Sequence, residues 1–324
     1  MRKKKIRVVP EKTSFDETPN VEDIDGVRVK NFVKYSSKYF SDYFEYIHNN
    51  PTSAYDAYCN DLVIGGYEPS WVSVLEKDSF TLERSINEVI AGRILEFFDI
   101  PVVCEKIVKN EEYFPGGYSL LSLDFIGGNE EFETLENLSK RMRFFRTYKD
   151  LVLDVSEFID NVYQKGQFGM SPNVKKDTLQ HLKNKLVEDL CYSYLVRQLI
   201  LNDWDYSYSN CGVLFNSKTN SFRMAPNFDV EQSMSGWSWS CDMLFVEDVF
   251  YNLPNVRDKF ISKLNTFAKM REDGSYNYEQ ILSAKVEGEV VSLDTTSVHV
   301  LEESVRLALK YVEAYNYNRE IETS

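Results

Sequence analysis

Three side chains that handle protons and metal ions lie close together in the stretch 199–232. Asp205 and Asn210 are five residues apart, and Asp229 follows Asn210 after a further nineteen. A carboxylate at a loop tip can accept a proton from a hydroxyl group and orient it. An amide oxygen and a second carboxylate can together hold Mg²⁺, which takes few protein ligands and completes its octahedron with waters and phosphates. Asp205, Asn210 and Asp229 therefore predict phosphoryl transfer from a nucleotide.

The segments around these residues favour one shared site. A long apolar helix is predicted to run into residues 202–205 (NDWD), and Asn210 is followed by Cys-Gly and the β-prone run VLF. Residues 225–228 (APNF) lead directly into Asp229. The alternative interpretation is that the three side chains are ordinary turn residues, because turns favour Asp and Asn.

This combination resembles the HipA-like protein kinases, including their CtkA-type branch. The pattern of that family consists, in order, of an apolar helix, an Asn shortly before D-x-x-x-x-N, a short hairpin and a final Pro-x-x-Asp motif. Here the pattern is carried by Asp205, Asn210, Pro226 and Asp229. The resemblance covers roughly residues 60–235. It implies that Asp205 is the catalytic acid, and that Asn210 and Asp229 are metal ligands, with Asp229 the counterpart of the Asp of the kinase DFG motif.

Upstream residues also resemble the nucleotide-binding half of that family. Residues 86–102 (INEVIAGRILEFFDIPV) look like the small-lobe helix and the strand after it, which makes Glu88 the helix glutamate. Glu88 also stands at capping-box spacing from Ser85, so a capping role is the alternative. Gly65 and Gly66 could let backbone N–H groups approach a phosphate, with an ordinary hairpin turn as the alternative.

Three positions depart from the family pattern. Asp203 stands where the family has an Asn, and residues 206–209 (YSYS) lack the family's basic residue. Ser73 stands about where the strand's nucleotide lysine is expected. Lys77 is the nearest substitute, and we expect it past the end of that strand. Lys77 with a shifted register, weakened activity and a pseudokinase are the three open interpretations.

The periodicity of the chain changes near residue 126. Before it, β-prone runs at 62–64, 71–75, 102–108 and 118–126 accompany helices predicted at 33–48 and 85–98. After it, helices are predicted at 130–148, 151–163, 178–201, 245–268, 278–284 and 297–315. With the resemblance, this pattern predicts an α+β, bilobal, protein-kinase-like fold. We expect a polar lead-in (1–30), a small mixed β lobe with one main helix that binds nucleotide (31–126) and a larger, mostly helical catalytic lobe (127–324).

Composition limits the partners of this chain. A formal charge of -14, from 51 acidic and 37 basic residues, argues against direct nucleic-acid binding. The sequence contains no apolar run long enough to span a membrane. Five scattered cysteines favour neither a disulfide framework nor a zinc site and fit a reducing cytosol. We interpret the basic residues 2–5 as a solvated tail, with a nuclear or membrane-surface role as the alternative.

These features predict an ATP- and Mg²⁺-dependent kinase that transfers the γ-phosphate to protein Ser, Thr or Tyr hydroxyls and also phosphorylates itself. One alternative is a pseudokinase or nucleotide-binding interaction module, and another is phosphoryl transfer to a lipid or small molecule. The implied partners are a protein substrate and an antitoxin-like or regulatory protein. The expected location is the cytoplasm, with secretion into a host cell as the open alternative.

Overall fold

The computed structural model describes residues 7–8, 30–36, 71–78, 81–109, 117–123, 125–126, 129–139, 146–230, 232–235, 241–286 and 288–323. This part of the chain is a mixed α+β structure. Its strands are β1 (Arg7–Val8), β2 (Lys30–Ser36), β3 (Trp71–Asp78), β4 (Glu105–Lys109), β5 (Tyr118–Leu123), β6 (Glu130–Thr134), β7 (Gly212–Asn216), β8 (Ser221–Met224), β9 (Ser283–Val286) and β10 (Glu289–Ser292). Its α-helices are α1 (Leu82–Phe97), α2 (Leu135–Leu138), α3 (Tyr148–Lys165), α4 (Lys176–Leu199), α5 (Met243–Asn252), α6 (Pro254–Glu272), α7 (Tyr276–Ile281) and α8 (Thr295–Thr323). None of the helices in these ranges carries an apolar stretch of the length that a bilayer requires.

Among the described residues, the larger sheet has seven strands in the order β1-β2-β3-β5-β4-β9-β10. Most neighbours are antiparallel, whereas β1 with β2 and β4 with β9 are parallel. β3 is longer than its predicted run 71–75 and continues to Asp78. Lys77 therefore lies inside the strand, opposite Leu120 of β5, and the expectation that it falls past the strand's end is wrong.

Helix α1 connects β3 to β4 and begins earlier than predicted. Thr81, not Ser85, is its N-cap, and the Thr81 side chain accepts a hydrogen bond from the backbone N–H of Arg84. The capping-box interpretation of Ser85 and Glu88 is therefore wrong, because both residues lie inside the helix. Glu88 is fully buried on the helix, where a charged side chain needs a partner.

Strand β2 replaces the start of the helix predicted at residues 33–48. Its sequence, KNFVKYS, combines aromatic and β-branched residues, and it pairs along its whole length with β3. The spacing of the aromatic residues is compatible with a helix as well as with a strand. Pairing with β3 decided in favour of the strand, and a local sequence pattern carries no information about that pairing. Residues 37–48 and 61–70 of the predicted helix and hairpin lie outside the described residues.

A three-stranded sheet, β6-β7-β8, replaces the start of the helix predicted at residues 130–148. β6 pairs with β7 in the antiparallel direction, and only the short helix α2 follows before residue 140. Phe132 of β6 packs edge-on against Phe125 and Phe228. The hairpin of β7 and β8 thus connects the loop that carries Asn210 to the segment that carries Asp229.

Gly212 allows β6 and β7 to pack closely. A Cβ atom at Gly212 would overlap the Phe132 ring and lie 2.7 Å from the carbonyl oxygen of Glu133.

We expect Gly212→Ala to lower the free energy of unfolding by about 1–3 kcal/mol, the usual cost of overpacking. Urea unfolding should show this loss. Gly92→Ala is the control, because within the described part of the chain its Cβ would meet only Val102 Cγ2, at 3.9 Å, and a helical Ala gains up to about 1 kcal/mol. Equal effects of the two variants would contradict the prediction.

The C-terminal part differs from prediction at two places. The helix predicted at 245–268 is two helices, α5 and α6, which separate where Pro254 takes the first position of α6. Residues 283–292 form the hairpin of β9 and β10, and Val286 of β9 lies beside Ile107 of β4. The chain beyond residue 127 therefore completes the larger sheet. The division into lobes at that residue stays a prediction.

Helix α4 lies in the core of the described structure. Every side chain from 190 to 199 is buried, and the helix packs against α3, α6 and β8. This C-terminal part of α4 is buried on all sides and is therefore held firmly by its neighbours, whereas residues 176–182 are mostly exposed. The loop that follows it, residues 202–210, therefore starts from a fixed point.

Candidate functional site

The loop after α4 places Asp205 beside Asn210. Asn210 Nδ2 donates to the backbone oxygen of Asp205 at 2.8 Å and to its Oδ2 at 3.3 Å. Asn210 is buried, whereas Asp205 is exposed. Burial of part of the group and the nearby Asp229 carboxylate raise the pKa of Asp205, which the hydrogen bond from Asn210 partly opposes. The loop thus presents a carboxylate to solvent with an amide oriented behind it.

Asp229 follows the β7–β8 hairpin and has an unusual backbone conformation. Its φ of 55° lies in the left-handed region, which Asp tolerates better than most residues because its short side chain bonds locally. Its backbone oxygen accepts from Arg197 at 3.1 Å, and its side chain is 30% exposed. Strain of this kind persists where the surroundings hold it and is common at functional sites.

Arg197 connects the two loops from within α4. It is fully buried, and its guanidinium forms an ion pair of 2.5 Å with Asp203. It also donates to the backbone oxygens of Asn210 at 3.3 Å and Asp229 at 3.1 Å, and it lies over the Tyr206 ring at 4.2 Å. One planar, permanently charged group therefore sets the positions of both loops.

Asn227 ties the Asp229 segment to residues 101–103, which join α1 to β4. Its backbone N–H donates to the Pro101 oxygen at 2.7 Å, and its own oxygen accepts from the N–H of Val103 at 2.9 Å. Its side-chain oxygen accepts from Ser193 Oγ at 2.8 Å and from Arg197 at 3.3 Å. The segment before Asp229 is thus fixed both to the strand region after α1 and to the core of α4.

Lys77 lies among three carboxylates that come from different elements. Its Nζ is 2.8 Å from Glu88 Oε1 on α1, 3.7 Å from Glu105 Oε1 on β4 and 3.8 Å from Asp229 Oδ1. Burial alone would lower the pKa of Lys77, but the charges of Glu88, Asp229 and Glu105 raise it further than burial lowers it. Lys77 therefore stays charged. Asp229 is the most exposed of its partners.

Glu105 makes the stability of this cluster depend on pH. Burial and then the Glu88 carboxylate raise the pKa of Glu105 well above its ordinary 4.5, and Lys77 opposes them only in part. The folded state therefore holds a proton on Glu105 at pH values where the unfolded chain has released it. Stability is lost as the pH rises through the window between these two pKa values.

We expect Glu105→Gln to remove this dependence. The variant keeps an acceptor for Ser122 Oγ, which donates to Glu105 at 2.9 Å, and it carries no charge to desolvate. At high pH the variant should be more stable than the wild type by about 1.4 kcal/mol or more, because it no longer loses stability as the pH rises. Urea unfolding from about pH 5 to about pH 8 would measure it. Exposed Glu272→Gln is the control, and a variant that loses stability with pH as the wild type does would refute the assignment.

Asn210 and Asp229 offer an amide oxygen and a carboxylate, which suit Mg²⁺ more than a softer metal. Asn210 Nδ2 is engaged by Asp205, which leaves its Oδ1 as the atom available to a cation. Within the described residues, no three His, Cys, Asp or Glu side chains form a metal cage. The pair therefore fits a metal ion that arrives with ligands of its own, as Mg²⁺ does with nucleotide phosphates.

The structure brings together five of the seven residues expected from the sequence. Lys77, Glu88 and Asp229 are in one charged cluster, and Asp205 with Asn210 forms the neighbouring loop pair. Gly65 and Gly66 lie outside the described residues. The roles of all seven residues stay predictions.

Three residues of the site, Arg197, Asn227 and Glu105, were not predicted from the sequence. The signal for Arg197 was a cation within the otherwise apolar stretch YLVRQLIL, which calls for a buried anion nearby, and Asp203 provides it.

Comparison with known proteins gives only distant similarity. No protein-family model matches the chain, and no curated protein matches its sequence. The Helicobacter pylori proinflammatory kinase CtkA is similar in structure, with 12% identity, a TM-score of 0.40 and coverage of 72% of this chain and 86% of that one. So is a chain of the Shewanella oneidensis MR-1 toxin–antitoxin complex of HipA, HipB and operator DNA, with 13% identity and a TM-score of 0.42. That match covers 74% of this chain and 61% of the other.

Proposed function

We propose that the chain is an ATP- and Mg²⁺-dependent phosphotransferase of the protein-kinase type. The observation that carries the proposal is the meeting of a strand lysine, a helix glutamate and a loop aspartate: Lys77 Nζ lies 2.8 Å from Glu88 and 3.8 Å from Asp229. A Lys–Glu pair between strand and helix, beside an aspartate that binds metal, is how protein kinases hold nucleotide phosphates. Ordinary surface ion pairs would not need three buried or half-buried partners from distant parts of the chain.

Each residue has a specific role in this proposal. Lys77 binds the nucleotide phosphates, and Glu88 holds the Lys77 ammonium in place. Asn210 and Asp229 hold Mg²⁺, which neutralises charge on the phosphates. Asp205, exposed at its loop tip, orients the acceptor hydroxyl and takes its proton. Arg197 supports the site from within α4, because it donates hydrogen bonds to the backbone oxygens of Asn210 and Asp229.

The proposed acceptors are Ser, Thr or Tyr hydroxyls of proteins, including those of this chain. A regulatory protein of the antitoxin type is the proposed partner, and the cytoplasm is the proposed location. The exposure of Asp205 supports a large acceptor, because a carboxylate at the surface can reach a hydroxyl on another macromolecule.

A second candidate is a nucleotide-binding module without phosphoryl transfer. Glu105 favours it, because in its ionised form this additional carboxyl group, 3.7 Å from Lys77, helps to retain the ammonium within the protein. Ser73, the position first considered for the nucleotide lysine, lies inside β3, opposite Lys34 of β2 in the strand register. Both candidates require metal-dependent nucleotide binding, and only transfer separates them.

A labelling assay and a thermal-shift assay on the full chain test the proposal together. With γ-labelled ATP and MgCl₂, we expect label on the chain or on an added protein. Nucleotide with Mg²⁺ should also stabilise the fold by RT ln(1 + [L]/Kd), about 2.7 kcal/mol at a hundred times Kd. Neither effect should occur when EDTA removes the metal.

Asp229→Asn is the decisive variant, because Asn also tolerates the left-handed backbone at this position. We expect it to lose the metal-dependent shift and the labelling, whereas exposed Asp273→Asn retains both. Unchanged labelling in Asp229→Asn would overturn the proposal. A metal-dependent shift without labelling in the wild type would select the binding module.

A further inference from the structure

Two buried carboxyl groups contact the Lys77 ammonium from inside the protein. Glu88 lies 2.8 Å and Glu105 lies 3.7 Å from Lys77 Nζ, and both side chains are buried. Asp229, the third carboxyl group, lies 3.8 Å away and is half-buried. A strand lysine that pairs with one helix glutamate does not require a second buried carboxyl group. Glu105 is therefore an addition to the Lys77–Glu88 pair.

The distances leave part of the Lys77 ammonium open to competition. An ammonium group has three N–H donors, and Glu88 accepts one of them at 2.8 Å. Glu105 and Asp229 lie beyond a normal hydrogen bond, but when charged they are close enough to attract the other two donors. Nucleotide phosphates would use those same donors. An ionised Glu105 therefore competes with a bound phosphate for Lys77.

The neighbours of Glu105 allow it to hold a proton. Its carboxyl group is hydrogen-bonded to that of Glu88, and two carboxyl groups form such a bond only when one of them is protonated. Burial and then the Glu88 charge raise the pKa of Glu105 well above its ordinary 4.5, and Lys77 and the Ser122 hydroxyl oppose them only in part. Glu105 is therefore neutral at low pH and charged at high pH.

The groups that control this proton come from the elements packed around β4. Helix α1 brings Glu88 and strand β3 brings Lys77, whereas β5 brings the uncharged Ser122, which lies opposite Glu105 in the strand register. Strand β9 lies beside β4 at Val286, and within the described structure no charged side chain of β9 acts on Glu105. The charge of Glu105 thus depends on the same Lys77–Glu88 pair that is proposed to hold the nucleotide.

We propose that Glu105 is a proton-dependent gate on nucleotide binding. With its proton, the carboxyl group is neutral and leaves the remaining Lys77 donors to the phosphates. Without its proton, it attracts the ammonium and repels the phosphates, so that nucleotide binds more weakly. By reciprocity, nucleotide binding should favour the protonated form of Glu105. The inference rests on the proposed function, because Lys77 must bind phosphate for the gate to act.

Calorimetric titration of the full chain with ADP and excess MgCl₂, from about pH 5 to about pH 8, tests the gate. The nucleotide and the metal ligands also titrate, so the informative quantity is the ratio of the wild-type Kd to the Glu105→Gln Kd at each pH. Glutamine stays uncharged and keeps an acceptor for Ser122. We expect a ratio near one at low pH that rises to about tenfold or more at high pH. Exposed Glu272→Gln should bind as the wild type does throughout.

Ser122→Ala tests the same gate without removing the ionisable group. It deletes the hydrogen bond that favours the charged form of Glu105, so the pH at which binding weakens should move upward. A Kd ratio that is the same at every pH would overturn the gate and leave nucleotide binding intact. If Glu105→Gln does not fold, an unmoved pH in Ser122→Ala would overturn it instead. Absence of nucleotide binding in the wild type and both variants at every pH would overturn the proposed function, and the gate with it.

Discussion

Replacing Asp205 with asparagine is expected to lower the rate of the proposed phosphoryl transfer about 10²- to 10⁴-fold, the usual contribution of a general base. Asparagine has nearly the same shape but cannot accept the proton of an acceptor hydroxyl. Asp205 is exposed, and Asn210 Nδ2 can still donate to the backbone oxygen at position 205. The loop should therefore keep its conformation, and the loss should appear in kcat.

Initial rates of labelling with saturating ATP and Mg²⁺ would measure this loss. The thermal shift on nucleotide binding should remain close to that of the wild type, because Lys77, Asn210 and Asp229 are unchanged. Exposed Asp273→Asn should affect neither measurement. A variant at position 205 that transfers phosphate at the rate of the wild type would exclude Asp205 as the base.

Replacing Arg197 with methionine is expected to lower the free energy of unfolding by about 3–5 kcal/mol, the cost of leaving one member of a buried ion pair without its partner. Asp203 is fully buried and would lose a guanidinium that contacts it at 2.5 Å. The backbone oxygens of Asn210 and Asp229 would lose their donors as well. Urea unfolding midpoints, with the slope checked for constancy, would measure the change.

Two further variants separate charge burial from simple loss of a side chain. Arg271→Met breaks a partly exposed ion pair with Glu302 and should cost less than about 1 kcal/mol. Combining Arg197→Met with Asp203→Leu should recover part of the loss, because an apolar pair can replace a buried ion pair at little cost. An Arg197→Met variant no less stable than Arg271→Met would contradict the role of Arg197.

Local patterns predicted much of the fold where one face of an element meets the core. The helices at 151–163 and 178–201 and the strand at 118–126 are present with shifted ends, as α3, α4 and β5. Local patterns failed where pairing with a distant strand decided the conformation. β2 pairs with β3, β6 with β7, and β9 with β4, and each of these partners is far away in the sequence.

The sequence by itself determined the chemical groups of the candidate site and part of its spacing. Asp205 and Asn210 meet because they share one short loop, and their separation along the chain limits how far apart they can lie. Only the tertiary structure decided that Lys77, Glu88 and Asp229 share a cluster. Their meeting depends on the register of β3, the packing of α1 and the hydrogen bonds of Arg197 and Asn227. These contacts join segments that are distant in the sequence. Burial of a common core fixes them, and the local hydrophobic periodicity of the sequence does not specify them.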